Sequence, residues 1–506
     1  MAVLDSGGGG GVGGSEDRAP LLPPSSPSSP AHPSPEPETK GYWLWALTLS
    51  AGISGLLFGY DTASISSALL YLAPTLSTPE HPVTTWDKSM ITSATSFGAL
   101  AGGLVAGVCA DRWGRRAVIW IADLLFIVGA LWQAGAMGVW SMVAGRVVVG
   151  VGVGVGSLVV PLYISELAPA SHRGRLVVIS VLCITCGQLG AYAVGLLLGE
   201  RWRWILGLGA VPAVVQAALM LLMPETPRWQ LQCGRRKAAA ETLAKVYGTP
   251  AITSLLAEIE AGVRTGPAPP LRSTLKSLFR VPGNRRALTL ACFLQFLQQA
   301  CGFNALMYFS ATIFAGIGFR SPTAVAMVVA GTNAAGTAFA FHLIDRVGRR
   351  RMLLVSLAGM AAGLSLCALG FLALPDLTTS GLPTPPSGLP TLPAAMIVAA
   401  IITFVAFYAT GLGAVPWLCQ SEFFAMSVRG VGTGAATATN WGWNLVVAAT
   451  FLGVVEHLGA SVAFAVYAAV CAAGWVVCYR IYPETGGLAM EEVEGVLRDG
   501  WGVQAV

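Results

Sequence analysis

The stretch Asp111-Arg112-Trp113-Gly114-Arg115-Arg116 lies between two long apolar segments, and Asp345-Arg346-Val347-Gly348-Arg349-Arg350 lies in the same setting later in the chain. Two further pairs of motifs recur in the same order. Ser165-Glu166 with Arg173-Gly174 corresponds to Ser421-Glu422 with Arg429-Gly430, and Pro224-Glu225-Thr226 corresponds to Pro483-Glu484-Thr485. Three unrelated patterns that repeat in register predict two related halves. Because many membrane transporters are built from such repeats around one cavity, transport is the first hypothesis.

Composition favours a membrane protein. Charged residues make up 11% and apolar residues 54% of the chain, whereas about 25% of the residues in a soluble domain are charged. The apolar residues are concentrated in about twelve stretches, each long enough to cross a hydrocarbon core of about 30 Å. Since backbone exposed to lipid must satisfy its own hydrogen bonds, these stretches are predicted to be helices. We therefore predict an all-α membrane protein with twelve transmembrane helices in two pseudo-symmetric six-helix halves.

The sequence divides into five predicted parts. They are a disordered tail at 1–40, a six-helix half at 41–227, a linker of amphipathic helices at 228–285, a second six-helix half at 286–481 and a tail at 482–506. Lys and Arg are concentrated in the loops after the even-numbered stretches, so the positive-inside rule predicts that both termini are cytoplasmic. This topology pattern accounts for most of the net charge of +5. No nucleic-acid partner is expected, because a nucleic-acid surface needs a continuous exposed basic stripe.

The expected location is the plasma membrane, with many passes through it. Asp17 stands four residues before Leu21 and Leu22 in the first tail, which resembles an acidic dileucine sorting signal. An endolysosomal or vacuolar membrane is therefore the alternative. An enzyme is not expected, because no soluble segment gathers a nucleophile, a base and an orienting group.

Neither a metal nor an organic cofactor is expected. Cys183 and Cys186 are the one close pair among ten cysteines, but a zinc site needs further ligands, so packing is the better interpretation. The alternating run Gly150, Gly152, Gly154 and Gly156 lies inside an apolar stretch, whereas a dinucleotide-binding loop joins a strand to a helix. These glycines instead predict close contact between helices.

Asp61 is the clearest candidate for a functional acid, because ionisable residues inside membrane spans are rare and costly. It lies deep in the first span, with no basic residue in the neighbouring turns. One interpretation is that it only lines a wet cavity; the other is that it carries a proton. Arg146 in the fourth span is the candidate partner, since approach of its guanidinium would favour loss of the proton and separation would favour its retention. Alternatively, Arg146 only anchors its span.

Amide side chains in apolar stretches predict a binding site for a neutral, hydroxyl-rich ring, because each amide both donates and accepts hydrogen bonds. Tryptophans could cover the apolar face of such a ring. Taken singly, each amide is better explained by contacts between helices, but their number in one half favours a pocket. The candidates are Gln188, Gln295, Gln298, Gln299, Asn304, Asn333, Trp417, Asn440, Trp441 and Asn444.

Charged residues of the repeated loops predict a gate on the cytoplasmic face, made of ion pairs that form in one conformation and break in another. The alternative is that these residues only determine topology. The candidates are Asp111, Arg112, Arg116, Glu166, Arg173, Asp345, Arg346, Arg350, Glu422 and Arg429.

These motifs resemble those of the sugar porter family of the major facilitator superfamily, over about residues 41–495. Further matching runs are Pro161-Leu162-Tyr163-Ile164-Ser165-Glu166, Pro224-Glu225-Thr226-Pro227-Arg228-Trp229 and Gln298-Gln299. Within the family, the runs 304–310 and 435–441 are most similar to those of fungal-type proton-coupled myo-inositol transporters. The resemblance implies the major facilitator fold and alternating access, with symport of a proton and myo-inositol or a close polyol. The alternatives are a hexose symporter or facilitator and a nutrient sensor that does not transport.

Position by position, the resemblance implies that Asp61 couples protons and that Arg146 pairs with it. It also implies contacts to the substrate from Gln298, Gln299, Asn304, Asn333, Trp417, Asn440 and Trp441. Three departures limit this transfer. Val181 stands where relatives usually have a contacting Gln, so the role of Gln188 is less secure, and Gly486 replaces the usual Lys. Gly209 stands where some bacterial symporters have a Glu beside the arginine, so a relay of three charged groups is not expected.

Overall fold

The computed structural model describes residues 41–167, 170–247, 252–262, 271–374, 392–425, 428–486, 488 and 490–503. The predicted tail at 1–40, with its dileucine pattern, lies outside these residues.

The structure describes eight helices in the first half. They are α1 (Gly41–Ala68), α2 (Leu72–Leu76), α3 (Thr85–Trp113), α4 (Arg115–Ala134), α5 (Val139–Leu167), α6 (Ala170–Leu198), α7 (Trp202–Gly207) and α8 (Ala210–Leu222). Four short helices of the linker follow, namely α9 (Pro227–Gln232), α10 (Arg236–Tyr247), α11 (Ile252–Gly262) and α12 (Leu271–Arg280).

In the second half the described residues again form eight helices, followed by one terminal helix. They are α13 (Pro282–Ala300), α14 (Phe303–Ile317), α15 (Pro322–Val347), α16 (Arg349–Leu372), α17 (Leu392–Thr410), α18 (Val415–Glu422), α19 (Arg429–Leu458), α20 (Ala460–Ile481) and the terminal α21 (Met490–Asp499).

Eleven segments among the described residues are long and apolar enough to cross a membrane. The helix α1 precedes them, and its 28 residues extend about 42 Å at 1.5 Å per residue. With α1, each half therefore contributes six spans.

Three spans are interrupted within the described residues. The span α7–α8 is broken around Gly209, the span α13–α14 at Gly302 and the span α17–α18 at Gly411–Gly413. Gly302 has a positive φ of 83°, a conformation that costs glycine little. The break at 411–413 leaves the carbonyl groups of Leu412 and Gly413 to accept hydrogen bonds from a side chain.

Glycines bring the helices of the first half into backbone contact. A Cβ atom at Gly150 would lie 2.2 Å from the Thr95 carbonyl oxygen, and one at Gly154 would lie 2.1 Å from that of Ala99. On the opposite side, a Cβ at Gly152 would lie 2.8 Å from the Ala122 carbonyl oxygen. These three glycines thus pack α5 between α3 and α4, as small residues do in membranes. Gly156 has no such neighbour within 4 Å.

The two halves contact each other through one part of the bundle. We call the end that carries the turns at Gly114 and Gly348 the basic end. An apolar cluster at the opposite end joins Leu69 and Trp202 of the first half to Phe309 and Phe451 of the second. The side-chain hydrogen bonds described between the halves also lie between the middle and this opposite end. The bundle is therefore closed at the end away from the basic loops.

Candidate functional site

Asp61 on α1 and Arg146 on α5 form a buried ion pair. The Arg146 Nη1 atom donates to Asp61 Oδ1 at 2.7 Å. Arg146 is fully buried and Asp61 is 7% exposed. Among the described residues, neither Nε nor Nη2 of Arg146 has an acceptor, so Asp61 is the described group that compensates its charge.

Close helix packing fixes the position of Asp61. A Cβ atom at Gly59 would lie 1.9 Å from the Ile184 carbonyl oxygen, and one at Gly55 would lie 2.3 Å from that of Ser180. The helices α1 and α6 are therefore in backbone contact over the turns that precede Asp61. At Gly209, an added Cβ would lie 3.4 Å from the Tyr60 ring, and the Tyr60 hydroxyl donates to the Ile205 carbonyl oxygen at 2.6 Å. An aromatic ring thus occupies the space beside Gly209.

One group of amides is centred on Asn440 in α19. Asn440 Nδ2 donates to Gln295 Oε1 at 2.7 Å and to Gln298 Oε1 at 3.0 Å. Gln298 Nε2 donates in turn to the carbonyl oxygens exposed by the α17–α18 break, at 2.9 and 3.1 Å. Gln295 Nε2 donates to Gln420 Oε1 at 2.6 Å. Each of these four side chains is less than 5% exposed.

A second group of amides is centred on Gln299 and reaches the first half. Gln299 Oε1 accepts from Asn304 Nδ2 at 2.6 Å and from Asn444 Nδ2 at 2.9 Å. Asn444 Oδ1 accepts from the Tyr308 hydroxyl at 3.2 Å and from the Ser96 hydroxyl. Since Ser96 lies on α3, this group forms a polar connection between the halves.

Gln188 and Asn333 form a separate pair. Asn333 Nδ2 on α15 donates to Gln188 Oε1 on α6 at 2.9 Å. Both side chains are 3% exposed, so the pair is a second buried polar contact between the halves.

The two candidate tryptophans differ in their surroundings. Trp441 is 2% exposed and lies edge-on to Phe58 of the first half, with ring centroids 5.5 Å apart. Its indole Nε1 is buried and has no acceptor among the described residues. Trp417 on α18 is half-buried. A buried indole N–H without an acceptor costs free energy unless a bound molecule accepts from it.

The arrangement suits a neutral, hydroxyl-rich ligand. The amides in the second half satisfy one another, so a ligand would exchange these bonds for bonds to its own hydroxyl groups. No charged residue occurs in the sequence from 287 to 319 or from 430 to 455, which covers most of α13, α14 and α19. A charged ligand would therefore find no counter-ion in these stretches.

At the basic end, the first half holds its charged residues in one cluster. Arg115 Nη2 contacts Glu166 Oε1 at 3.1 Å and Asp111 Oδ1 at 3.2 Å. The Glu225 carboxylate accepts from the backbone N–H groups of Arg115, Arg116 and Thr226. It thereby caps the start of α4, where such donors lack helical partners. Burial raises the pKa of the Glu225 carboxyl, and these backbone hydrogen bonds act in the opposite direction.

The second half repeats the ion pair and the helix cap of this cluster. Arg349 Nη2 contacts Glu422 Oε1 at 3.6 Å. Glu484 accepts from the backbone N–H groups of Arg349, Arg350 and Gly486 and so caps α16. Gly114 and Gly348, with φ of 95° and 90°, make the turns that begin α4 and α16. The repeated motifs are thus structurally equivalent caps and ion pairs.

The predicted gate residues are distributed differently from the expectation. Arg112 and Arg346 are exposed, and the ion pairs to Glu166 and Glu422 come from Arg115 and Arg349 instead. Other guanidinium groups donate to carbonyl groups of their own half: Arg116 to Leu221, Arg350 to Tyr479 and Arg429 to Phe424. The side chains of Arg173 and Asp345 lie outside the described part of the chain. The ion pairs described at this end join residues of the same half.

Several members of the site were not found by sequence reasoning. Ser96, Tyr308, Gln420 and Thr437 extend the amide groups. Isolated hydroxyl residues in apolar stretches are too common to single out, and Gln420 stands next to the repeated Ser421-Glu422 motif and was not considered. Sequence reasoning also missed Asp123 on α4, a buried carboxylate that is 4% exposed and whose Oδ2 has no described partner. It is not part of the site, since no described hydrogen bond or ion pair joins it to Asp61, Arg146 or the amides. The rarity of acids inside spans could have found it from sequence.

The chain is similar to known transporters in sequence. Residues 47–497 match the family described as sugar (and other) transporter. Myo-inositol transporter 1 of Cryptococcus neoformans is 45% identical over 91% of this chain and 82% of its own length. Myo-inositol transporter 1 of Saccharomyces cerevisiae is 41% identical over 92% of this chain and 80% of its own length. Inositol transporter 4 of Arabidopsis thaliana is 33% identical, with coverages of 91% and 93%.

The chain is also similar to solved transporter structures. The inward open conformation of the xylose transporter XylE from E. coli matches with a TM-score of 0.73 and 25% identity, over 90% of this chain and 99% of XylE. The proton:xylose symporter XylE bound to 6-bromo-6-deoxy-D-glucose matches with a TM-score of 0.74 and 26% identity, again over 90% and 99%. These matches confirm the predicted fold class.

Proposed function

We propose that this chain, which belongs to the sugar (and other) transporter family, moves myo-inositol or a close polyol together with a proton by alternating access. The observation that carries the proposal is the fully buried contact between Asp61 and Arg146. The matches to named myo-inositol transporters at 41–45% identity support the substrate class.

Coupling follows from the cost of a buried charge. While Arg146 contacts Asp61, the carboxylate has a compensating charge and the proton is absent. When the helices separate, a lone buried carboxylate is costly, so Asp61 takes up a proton. One charge crossing about 100 mV yields roughly 2.3 kcal/mol, which supports roughly fortyfold accumulation at about 1.4 kcal/mol per tenfold.

The substrate is proposed to bind between the amides of the second half and Trp441. Gln298, Gln299, Asn304 and Asn440 would bond to its hydroxyl groups, and the indole N–H of Trp441 would gain an acceptor. The pair Gln188–Asn333 would complete the pocket from the α6 side. A hexose offers similar hydroxyl groups, so competition of labelled myo-inositol uptake by glucose separates the two substrates.

The closed end away from the basic loops supports an inward-facing state, if the basic end is cytoplasmic as the positive-inside rule predicts. In this state the ion pairs Arg115–Glu166 and Arg349–Glu422 stay within their halves. We propose that they rearrange across the halves when the basic end closes, and that the protein works in the plasma membrane or in an endolysosomal or vacuolar membrane.

The decisive experiment is uptake by purified protein in proteoliposomes with an imposed pH gradient and membrane potential. Asp61→Asn should abolish uphill uptake while exchange of labelled for unlabelled substrate continues, because the amide cannot carry the proton. Unchanged accumulation by this variant would remove Asp61 from the mechanism.

Asp123→Asn is the matched control. It makes the same isosteric change at another buried carboxylate of the first half, on a helix that packs against α3, α5, α7 and α8 of that half. Its accumulation ratio should equal that of the wild type. Loss of accumulation in both variants would indicate general damage and not loss of the coupling acid.

A further inference from the structure

The linker helix α12 has three distinct faces. Thr274 and Leu278 are buried, and Leu278 belongs to the apolar core of the second half. Next to this face, Leu275 and Phe279 are 37% and 57% exposed. Farther around the helix, a basic stripe of three exposed side chains follows at intervals of four residues, which places them on one face; they are Arg272, Lys276 and Arg280.

This helix lies at the start of a membrane span. Val281 alone separates α12 from α13, which begins span seven, and one extended residue covers only about 3.5 Å. The junction is fixed, because Asn284 Nδ2 donates to Ser277 Oγ at 3.3 Å. Val281 itself is 44% exposed. The exposed apolar strip of α12 is therefore held beside the position where the chain enters the hydrocarbon core.

The basic stripe has no counter-charge in the part of the chain that the structure describes. None of the described ion pairs includes Arg272, Lys276 or Arg280. The sequence contains no Asp or Glu between Glu260 and Asp345. By contrast, Arg236 on the linker helix α10 pairs with Glu260 at 2.5 Å. All three basic side chains of α12 thus lack a described counter-charge, at the linker helix next to the membrane.

We propose that α12 is a membrane-surface helix that binds anionic phospholipid headgroups through its basic stripe. Leu275, Phe279 and Val281 insert among the acyl chains, while Leu278 holds the helix to the second half. An apolar strip beside a basic stripe is the arrangement by which helices lie in the interface, and each basic side chain near an anionic leaflet contributes roughly 1 kcal/mol. A lipid site on α12 does not depend on which solute the protein carries.

Insertion is tested by replacing Phe279 with the photoreactive residue benzoylphenylalanine. After illumination of the full-length protein in vesicles of phosphatidylcholine with one fifth phosphatidylserine, intact-mass analysis should show phospholipid adducts. The same residue at Lys245, exposed on α10, should give none. A cross-link from position 279 to another polypeptide, or no lipid adduct, would overturn the proposal.

Headgroup selectivity is tested by native mass spectrometry of protein released from the same vesicles. Lys276→Gln/Arg280→Gln should lower the enrichment of bound phosphatidylserine over phosphatidylcholine by about fivefold per charge, which corresponds to roughly 1 kcal/mol each. The control pair Lys237→Gln/Lys245→Gln, exposed on α10, and the charge-preserving Lys276→Arg/Arg280→Lys should retain the enrichment. Equal loss in all three variants, or no loss in the first, would contradict a headgroup site on α12.

Discussion

The two halves of this protein share their basic ends and differ in their interiors. Glu225 and Glu484 cap equivalent helices by accepting from the first two backbone N–H groups of each, and each accepts a third N–H from its own loop. Inside the membrane, however, the first half holds the ion pair of Asp61 and Arg146, whereas the second half holds hydrogen-bonded amides. Helix ends and turns repeat because backbone chemistry is the same in both copies. The interiors have diverged toward two different tasks.

This division separates the coupling ion from the ligand. A charged pair responds to protonation, and neutral amides recognise hydroxyl groups without demanding a counter-ion. The polar contacts from Ser96 to Asn444 and from Gln188 to Asn333 join the two parts across the interface between the halves. A change at the ion pair can therefore affect the amides only through helices that move together.

The largest effect is expected from replacing Arg146, the buried cation of the first half. Arg146→Met should lower the free energy of unfolding by about 3–5 kcal/mol, because it leaves a buried charge uncompensated. The double variant Asp61→Asn/Arg146→Met should lose less than the sum of the two single variants. Thermal unfolding in detergent gives the stability of all three variants.

Arg201→Met, at an exposed arginine, serves as the control and should change stability by less than about 0.5 kcal/mol. Additive losses in the double variant would mean that the contact between Asp61 and Arg146 contributes nothing to the folded state.

A smaller effect is expected from the amides of the second half. Gln298→Ala should weaken myo-inositol binding about tenfold. It removes a hydrogen-bonding side chain and leaves one N–H of the Asn440 amide without its acceptor. The number of protons moved per substrate should not change, since the ion pair is intact. Calorimetric titration gives the affinity, and charge movement in proteoliposomes gives the stoichiometry.

Gln216→Leu is the matched control for this amide. Gln216 is fully buried in the first half and donates to Ser50 and Ser54, away from the second half. Its removal should leave the affinity unchanged. If Gln298→Ala altered the coupling stoichiometry, the separation of tasks between the halves would be wrong.

The sequence was sufficient for the spans, the repeat and the candidate acid, because these depend on local composition and on the high cost of charge in lipid. Sequence reasoning also proposed that Arg146 approaches Asp61, and the side chains are in contact. It named Arg112 and not Arg115 among the residues that could pair with Glu166, whereas the structure shows Arg115 there. The pairing depends on the direction in which α4 leaves the positive-φ turn at Gly114, and such a turn sets the orientation of every side chain after it.

The pairing of the amides was also beyond sequence reasoning. Asn440 contacts residues about 145 positions away, and the carbonyl acceptors of Gln298 exist only because α17 and α18 are broken at 411–413. Which end of the bundle is closed is likewise not encoded in a local pattern. It reflects a balance between two packings of the same helices, and a balance of a few kcal/mol leaves no local trace.

The smallest predicted effect is the difference in stability between variants of the two helix caps. Glu225→Ala should lower the free energy of unfolding by about 2 kcal/mol and Glu484→Ala by about 1 kcal/mol, because hydrogen bonds to a charged group contribute more when water is excluded. Glu225 is half-buried, whereas Glu484 is exposed, although each accepts three backbone N–H groups. Urea or thermal unfolding of the two variants in the same detergent gives the difference. Equal losses would show that the two caps are equivalent in energy as well as in geometry, and that the halves differ in their interiors alone.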